Sequence, residues 1–325
     1  MKKYLYSLIA VAAMLFATAC SESELASEQS QEVEMSFNLS LEGMSQSRNI
    51  GKATKIKTLV YEIRRGDKVV KRETVADAFA NSLTYQLKLT VMVGVTYDYI
   101  FWAQSPDAPY GIDDLSAIQM NYTNANANDE NRDAFYAANS FVGKQYSDEI
   151  VLKRPFAQLN VGAQSGIFDD NSLVGVNIEN TSVELAEVPS VFHPITGEAT
   201  DLVNVVMKTT PTPAIATGEK LKITQDGKET EYHYLSLNYF LAHSEKELFS
   251  SLIHLYSDPT DLVKSIPVPN IPLHRNYRTN ILFSTSGGGG GGFVDLADVS
   301  FTIIVDPDFD KLTPENPDYV EKEDI

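Results

Sequence analysis

The chain carries one cysteine, one tryptophan and five histidines in 325 residues. A single thiol excludes any disulfide within the chain and every metal site built on paired cysteines, so stability has to come from burial and backbone pairing. There is no glycine-rich phosphate loop with its lysine and no nucleophile elbow, and His193, His233, His243, His254 and His274 are scattered along the chain. The sequence therefore offers no catalytic, cofactor-binding or metal site and reads as a non-enzyme without cofactors. Positive charge is also scarce: 26 Lys and Arg against 44 Asp and Glu leave a net charge of −18. Recognition of a phosphate backbone needs clustered cations, so nucleic acid is excluded as a partner, and the acidity serves solubility and repulsion between neighbours.

The first residues hold the strongest signal. Lys2 and Lys3 precede an apolar run from Leu5 to Ala17, too short for a permanent membrane helix, and Ala17, Thr18 and Ala19 place small side chains before Cys20. This is the pattern of a lipoprotein signal peptide over residues 1–19, with Cys20 as the lipidated residue. Several acyl chains on that cysteine make a stable anchor where a single chain would not. Loss of Lys2 and Lys3 with the leader takes the charge from −18 to −20. Residues 20–32 are polar and acidic, the composition of a flexible tether. Within it, Ser21, Glu22 and Glu24 resemble the surface-export signal of Bacteroidetes lipoproteins.

From Val33 the pattern becomes strict alternation. Val33, Met35, Phe37, Leu39 and Leu41 share one face and Glu34, Ser36, Asn38 and Ser40 the other, as in a half-buried strand. Strand-like runs follow at 56–63, 83–91, 96–103, 150–152, 156–161 and 174–185, with turns at Arg65-Gly66-Asp67 and Ser165-Gly166. A second series covers 202–207, 221–224, 232–242, 252–256, 277–283 and 299–305. This spacing predicts an all-β chain of two tandem β-sandwich domains. Pro189, Pro194 and Gly197 mark the division, giving an N-terminal domain over 33–188 and a C-terminal domain over 189–325. Residues 111–138 read as a long loop with helical turns, and Ser244 with Glu247 has capping-box spacing that leaves 252–256 open between helix and strand. Gly287–Gly292 is an uninterrupted hexaglycine, the composition of a hinge or exposed turn.

Three weaker patterns have bland counterparts. His233 and His243 would meet across a hairpin only with a carboxylate beside them. Asp306, Asp308 and Asp310 alternate like calcium ligands, and 128–133 is oxygen-rich, but neither has the calcium loop's glycine and final glutamate, so no metal is assigned. Tyr97, Tyr99, Phe101 and Trp102 would suit a sugar platform, yet their alternation favours the core.

Two strings, Val151-Leu152-Lys153-Arg154-Pro155-Phe156-Ala157-Gln158-Leu159-Asn160-Val161 and Ile271-Pro272-Leu273-His274-Arg275-Asn276-Tyr277-Arg278-Thr279-Asn280-Ile281, resemble motifs of the fimbrillin family. With the lipobox, Phe101-Trp102-Ala103 and the strand order, the chain resembles Bacteroidales fimbrillin-like lipoproteins of the type V pilus superfamily. The resemblance implies two transthyretin-like β-sandwiches and assembly by strand exchange, in which cleavage at a basic residue releases a first strand and another subunit's terminal strand fills the groove. On this chain the displaced strand would be Val33, Met35, Phe37, Leu39 and Leu41, and the processing residue Arg48, which otherwise reads as a plain surface arginine. The donor would be Val299, Phe301, Ile303 and Val305, which otherwise form an ordinary last strand. The implied setting is the outer membrane, at the cell surface or in a fimbrium, with other fimbrial subunits or self as partners and host or bacterial surfaces as ligands. The hexaglycine and the acidic tail depart from the family's shaft subunits and leave anchor, tip and non-pilus adhesin roles open. A monomeric outer-membrane lipoprotein binding glycan or host protein is the alternative.

Overall fold

In a computed structural model, the described residues are 31–42, 53–164, 167, 178–208, 220–225, 228–285, 299–306 and 320–321. The signal peptide, Cys20, Arg48, the hexaglycine, Asp308, Asp310 and nearly all of the acidic tail lie outside them.

The described chain is strands joined by turns, with one 3-10 turn at Glu130–Arg132. The first group is β1 (Glu32–Leu41), β2 (Thr58–Arg65), β3 (Lys68–Val75), β4 (Thr84–Met92) and β5 (Thr96–Gln104). After it come β6 (Tyr110–Gly111), β7 (Ile118–Met120), β8 (Ala134–Val142) and β9 (Ser147–Leu152). Sheets β4-β1-β9 and β3-β2-β5-β8 face each other across one apolar core, forming the first sandwich.

The second series is β10 (Phe156–Gln164), β11 (Asn180–His193), β12 (Glu198–Lys208), β13 (Lys220–Gln225), β14 (Lys228–Leu241) and β15 (Glu247–Tyr256). It ends with β16 (Leu262–Leu273), β17 (Arg278–Thr285), β18 (Val299–Asp306) and β19 (Val320–Glu321). Sheets β13-β14-β10-β17-β18-β19 and β16-β15-β11-β7-β6, with β12 beside β11, enclose a second core. The all-β architecture of two sandwiches expected from the sequence is present.

The division between the sandwiches differs from the expected one. Residue 189 falls inside β11, whose Pro189 pairs with Leu202, while the sheets part between Leu152 and Phe156. Of the residues that suggested a boundary, Pro189 lies next to a register shift between Leu185 and Val188, and Pro194 and Gly197 form the turn that joins β11 to β12. Residues 105–133 leave the first sandwich between β5 and β8 and place β7 against β11 of the second. The expected long loop at 111–138 thus contains two short strands, the 3-10 turn and the start of β8. The segment left open between helix and strand is β15, whose buried alternate residues Ser251, Ile253 and Leu255 give a period of two.

A third apolar cluster joins the two sandwiches. Trp102 on β5, Ile118 on β7 and Phe156, Phe192, Leu237 and Tyr239 from the second sandwich are all buried in it.

Candidate functional site

β1 is the middle strand of its sheet. It runs antiparallel to β4 from Glu32↔Met92 to Ser40↔Thr84 and parallel to β9 from Ser36↔Ser147 to Leu41↔Leu152. Its alternation is the predicted one: Met35 (2% exposed), Phe37 and Leu39 (0%) and Leu41 (6%) point into the core, with Val33 packed at its margin. Phe37 is the centre of an aromatic box. Its ring meets Tyr99 at 5.7 Å, Phe101 at 5.5 Å and Phe141 at 5.2 Å, all edge to face. Each such side chain contributes about 1.5–3 kcal/mol on burial, and edge-to-face pairs add to that. Removing β1 would uncover an apolar slot with one antiparallel and one parallel edge, both unpaired.

The solvent face of β1 is tied across the sheet. The Asn38 amide donates to Glu149 (2.7 Å) and Ser147 (3.0 Å) and accepts from Gln86 (3.0 Å), and Lys88 pairs with Glu34 at 2.9 Å. These are exposed contacts, so they select register more than they stabilise. At the exit of β1, Glu42 accepts from the Asn276 amide at 2.7 Å and faces Lys153 at 3.4 Å. The end of the first strand is therefore held from the second sandwich.

Tyr97, Tyr99 and Phe101 are buried in the first core, as the alternation predicts. Burial raises the Tyr99 hydroxyl to about 12, with the nearby Asp148 carboxylate adding to the shift. Trp102 points the other way, into the cluster between the sandwiches, and donates to Gln104 at 2.7 Å.

The candidate donor, β18, pairs along its length with β17, from Arg278↔Asp306 to Thr285↔Val299. On its other edge, among the described residues, it pairs with the two residues of β19. Phe301 and Ile303 are each 6% exposed, and Val299 and Val305 are half-buried. Among the described residues the aromatic neighbour of Phe301 is Phe283, at 6.4 Å.

The two motif strings meet at the junction of the sandwiches. Arg154 forms a two-pronged pair with Asp133 (2.8 and 2.9 Å), both fully buried, and its guanidinium lies 4.3 Å over the Phe135 ring. Burial pushes the Asp133 carboxyl up from its ordinary value while Arg154 pulls it back. Arg275 donates to the carbonyls of Gly197 (2.6 Å) and Ala242 (3.1 Å) and to the Tyr136 hydroxyl (3.2 Å), and it stacks 4.9 Å from Phe192. Asn276, at φ +62°, holds the left-handed turn before β17. Inside the second sandwich, Arg278, Gln158, Asn160 and Asn280 form a buried chain of hydrogen bonds ending on the carbonyl of Ile304 in β18. Sequence reasoning noticed these strings as motifs but missed what Glu42, Lys153, Arg275 and Asn276 do. Their partners lie far away in sequence, so no local period announces them.

The weaker patterns resolve simply. His233 lies within β14 and His243 beyond its end, so no hairpin joins them. His233 sits against the Lys220 amine at 2.7 Å and His243 faces Glu247 at 3.8 Å. In the oxygen-rich stretch, Asp129 caps the 3-10 turn and Asp133 is the partner of Arg154. Asp306 ends β18. Among the described residues no group of three His, Cys, Asp or Glu is arranged to hold a metal.

A family model described as a family of unknown function (DUF6562) matches residues 27–319. Comparison with curated proteins finds no match. Among solved structures, a candidate adhesin from Bacteroides thetaiotaomicron superposes with a TM-score of 0.51 at 10% identity, covering 86% of this chain and 98% of its own. A candidate polysaccharide-binding protein (DUF1812) from the same species gives 0.49 at 12% identity, over 84% of this chain and 96% of its own. A fimbrial assembly protein from Parabacteroides distasonis gives 0.46 at 11%, also over 84% and 96%. The structural neighbours are thus Bacteroidales fimbrial and adhesin proteins, and at these identities the likeness is one of fold.

Proposed function

The chain belongs to the family of unknown function DUF6562, matched over residues 27–319, and from the geometry of β1 we propose that it is a surface lipoprotein of the fimbrial type, assembled by strand exchange and serving adhesion. The observation that carries this reading is the position of β1. A first strand sits between two others, packs through a single file of apolar side chains, and leaves a continuous slot when withdrawn. Strand addition supplies affinity through main-chain ladders and specificity through alternate side-chain pockets, and such a slot offers both.

In this reading Cys20 is lipidated after removal of the signal peptide and holds the chain at the outer membrane. Arg48, just beyond the end of β1, is cut at the surface. The segment before it, with Val33, Met35, Phe37, Leu39 and Leu41, is then free to leave. Another subunit fills the vacancy with a terminal strand, for which Val299, Phe301, Ile303 and Val305 are the matching part of this chain. The role is structural, with no catalytic step, and the neighbours described as adhesins and fimbrial assembly proteins support that role.

Intact mass and N-terminal sequencing of the protein from sheared filaments and from outer membranes test the proposal. The filament form is expected to begin at Asn49 and the membrane form at a lipidated Cys20. An assembled form that keeps its N-terminus upstream of Val33 overturns strand exchange.

A further inference from the structure

At the end of the first sandwich remote from the second, three turns and the start of β1 share one surface. The β4–β5 turn bonds the β8–β9 turn twice, from the Gly94 N–H to the Gly143 carbonyl at 2.9 Å and from the Gly143 N–H to the Val95 carbonyl at 2.8 Å. The Val93 N–H reaches the Gln31 carbonyl, just before β1, at 2.8 Å. The β2–β3 hairpin tip joins them, since Arg65, Glu32 and Met92 line a common cleft of about 340 Å³. From this pole β1 runs to its other end, where Glu42 is held by Asn276 of the second sandwich.

The composition of the pole differs from that of the chain. Val70, Val93, Val142 and Tyr146 are between 46% and 49% exposed there. The three turns carry Arg65, Lys68 and Lys144 against one acid, Asp67, with Glu32 at the start of β1, whereas the whole chain carries −18. Arg65 and Lys68 stand directly opposite each other in the hairpin, and a like-charge pair in that position weakens a sheet. Arg64 and Arg72 of the same hairpin are instead matched by the buried Glu62. Lys144 lies 4.6 Å over the exposed Tyr146 ring. Cations on long stems and an amphipathic ring around exposed valines are the side chains of a membrane interface. The tether points the same way. Cys20 stands twelve residues before Glu32, a stretch that spans at most about 40 Å.

We infer that this pole docks on the anionic phospholipid surface to which Cys20 anchors the chain, with Arg65, Lys68 and Lys144 at the phosphates and Val70, Val93, Val142 and Tyr146 against the headgroup layer; the inference rests on the lipoprotein reading above. The far end of β1 and the second sandwich are then carried away from the membrane, and the contact stabilises the uncleaved, anchored form in one orientation.

Co-sedimentation of the mature chain, residues 20–325 with Cys20→Ser, measures the docking free of any acyl chain. Binding is expected to vesicles of phosphatidylethanolamine with phosphatidylglycerol and should weaken as salt rises. It should fall on the order of a hundredfold in Arg65→Gln/Lys68→Gln/Lys144→Gln, because each cation near such a surface contributes about a factor of five. That variant removes a like-charge pair and should unfold no earlier than its parent, so its weaker binding is separated from a folding defect. An environment-sensitive dye on Tyr146→Cys should shift to the blue when vesicles are added, and the same dye on Lys228→Cys, at the start of β14 in the second sandwich, should not. Equal affinity for neutral phosphatidylcholine, unchanged binding by the triple variant, or a shift at Lys228→Cys in place of Tyr146→Cys overturns the docking and leaves the lipoprotein reading standing. A dye on Tyr146→Cys already buried in solution, against residues 21–31 or a second copy, overturns it as well. Mass spectrometry of the native membrane form tests the reading beneath it: a Cys20 without acyl chains brings down both.

Discussion

Asn276, in the turn between β16 and β17, donates its side-chain amide to the Glu42 carboxylate at 2.7 Å, although 234 residues separate the two. Glu42 immediately follows β1, and its backbone N–H also bonds the Leu152 carbonyl at 2.9 Å. Asn276 accepts from the Arg154 backbone N–H at 3.4 Å, and its own N–H bonds the Phe156 carbonyl at 2.8 Å. One side chain of the second sandwich thus closes the end of the strand that the first would give up.

Replacing Asn276 should loosen that end. Asn276→Gly keeps the left-handed backbone and loses the side-chain bonds, a cost of about 1 kcal/mol for a partly exposed contact. Asn276→Ala adds the penalty of a side chain at positive φ, a further 1–2 kcal/mol or so. Urea denaturation should order the two variants in that sequence. Cleavage at Arg48 should release β1 faster in both, and an unchanged release rate in Asn276→Gly would remove this tie from the account of strand exit.

Phe37→Ala should be among the most damaging single changes in the first sandwich. It empties a box of three aromatic rings and should cost about 3–5 kcal/mol. Asn38→Ala, on the exposed face of the same strand, should cost under ~1 kcal/mol. Thermal unfolding of the uncleaved chain measures both. Similar losses at the two positions would contradict the one-sided packing of β1.

The buried Arg154–Asp133 pair should be costly to halve. Arg154→Met leaves a carboxylate buried at 0% exposure without its partner and should destabilise by about 3–5 kcal/mol. Replacing both residues by apolar ones, Arg154→Met with Asp133→Leu, should recover a large part of the loss, which equilibrium unfolding of the three variants would reveal.

Alkaline pH should weaken the first sandwich. Tyr99 has its hydroxyl raised from 10.0 to about 12 by burial, so the folded state holds its proton more tightly than the unfolded state. A raised value means that this contribution is complete below pH 10 and is lost as the pH climbs from 10 through about 12. Tyr99→Phe should make the decline in that window shallower in a pH series of urea midpoints. Tyr61, Tyr110, Tyr122, Tyr232 and Tyr239 are raised as well, so the decline should be reduced and not abolished.

The strands with one buried face were legible in the chain because alternation is a local property. β1 and β18 each carry their period of two within a few residues, and that period follows from the pleat whatever lies opposite. The strands that escaped notice are those whose pairing is decided elsewhere. β3 is exposed almost throughout and has no buried face to set a pattern; β8, Ala-Phe-Tyr-Ala-Ala-Asn-Ser-Phe-Val, shows no clean alternation of burial and is placed by its pairing with β5; β16 carries Pro267, Pro269 and Pro272, tolerable because among the described residues it is an edge strand paired with β15.

By itself, then, the amino-acid order determined the all-β class, the two sandwiches and the alternation of β1 and β18, since each rests on short-range periodicity. Tertiary structure alone decided that the sheets divide between Leu152 and Phe156, that residues 105–133 cross to the second sandwich, and that Asn276 reaches Glu42. Those outcomes depend on which side chains meet after the chain has folded back on itself, and contacts made across more than two hundred residues leave no period in the sequence to be read.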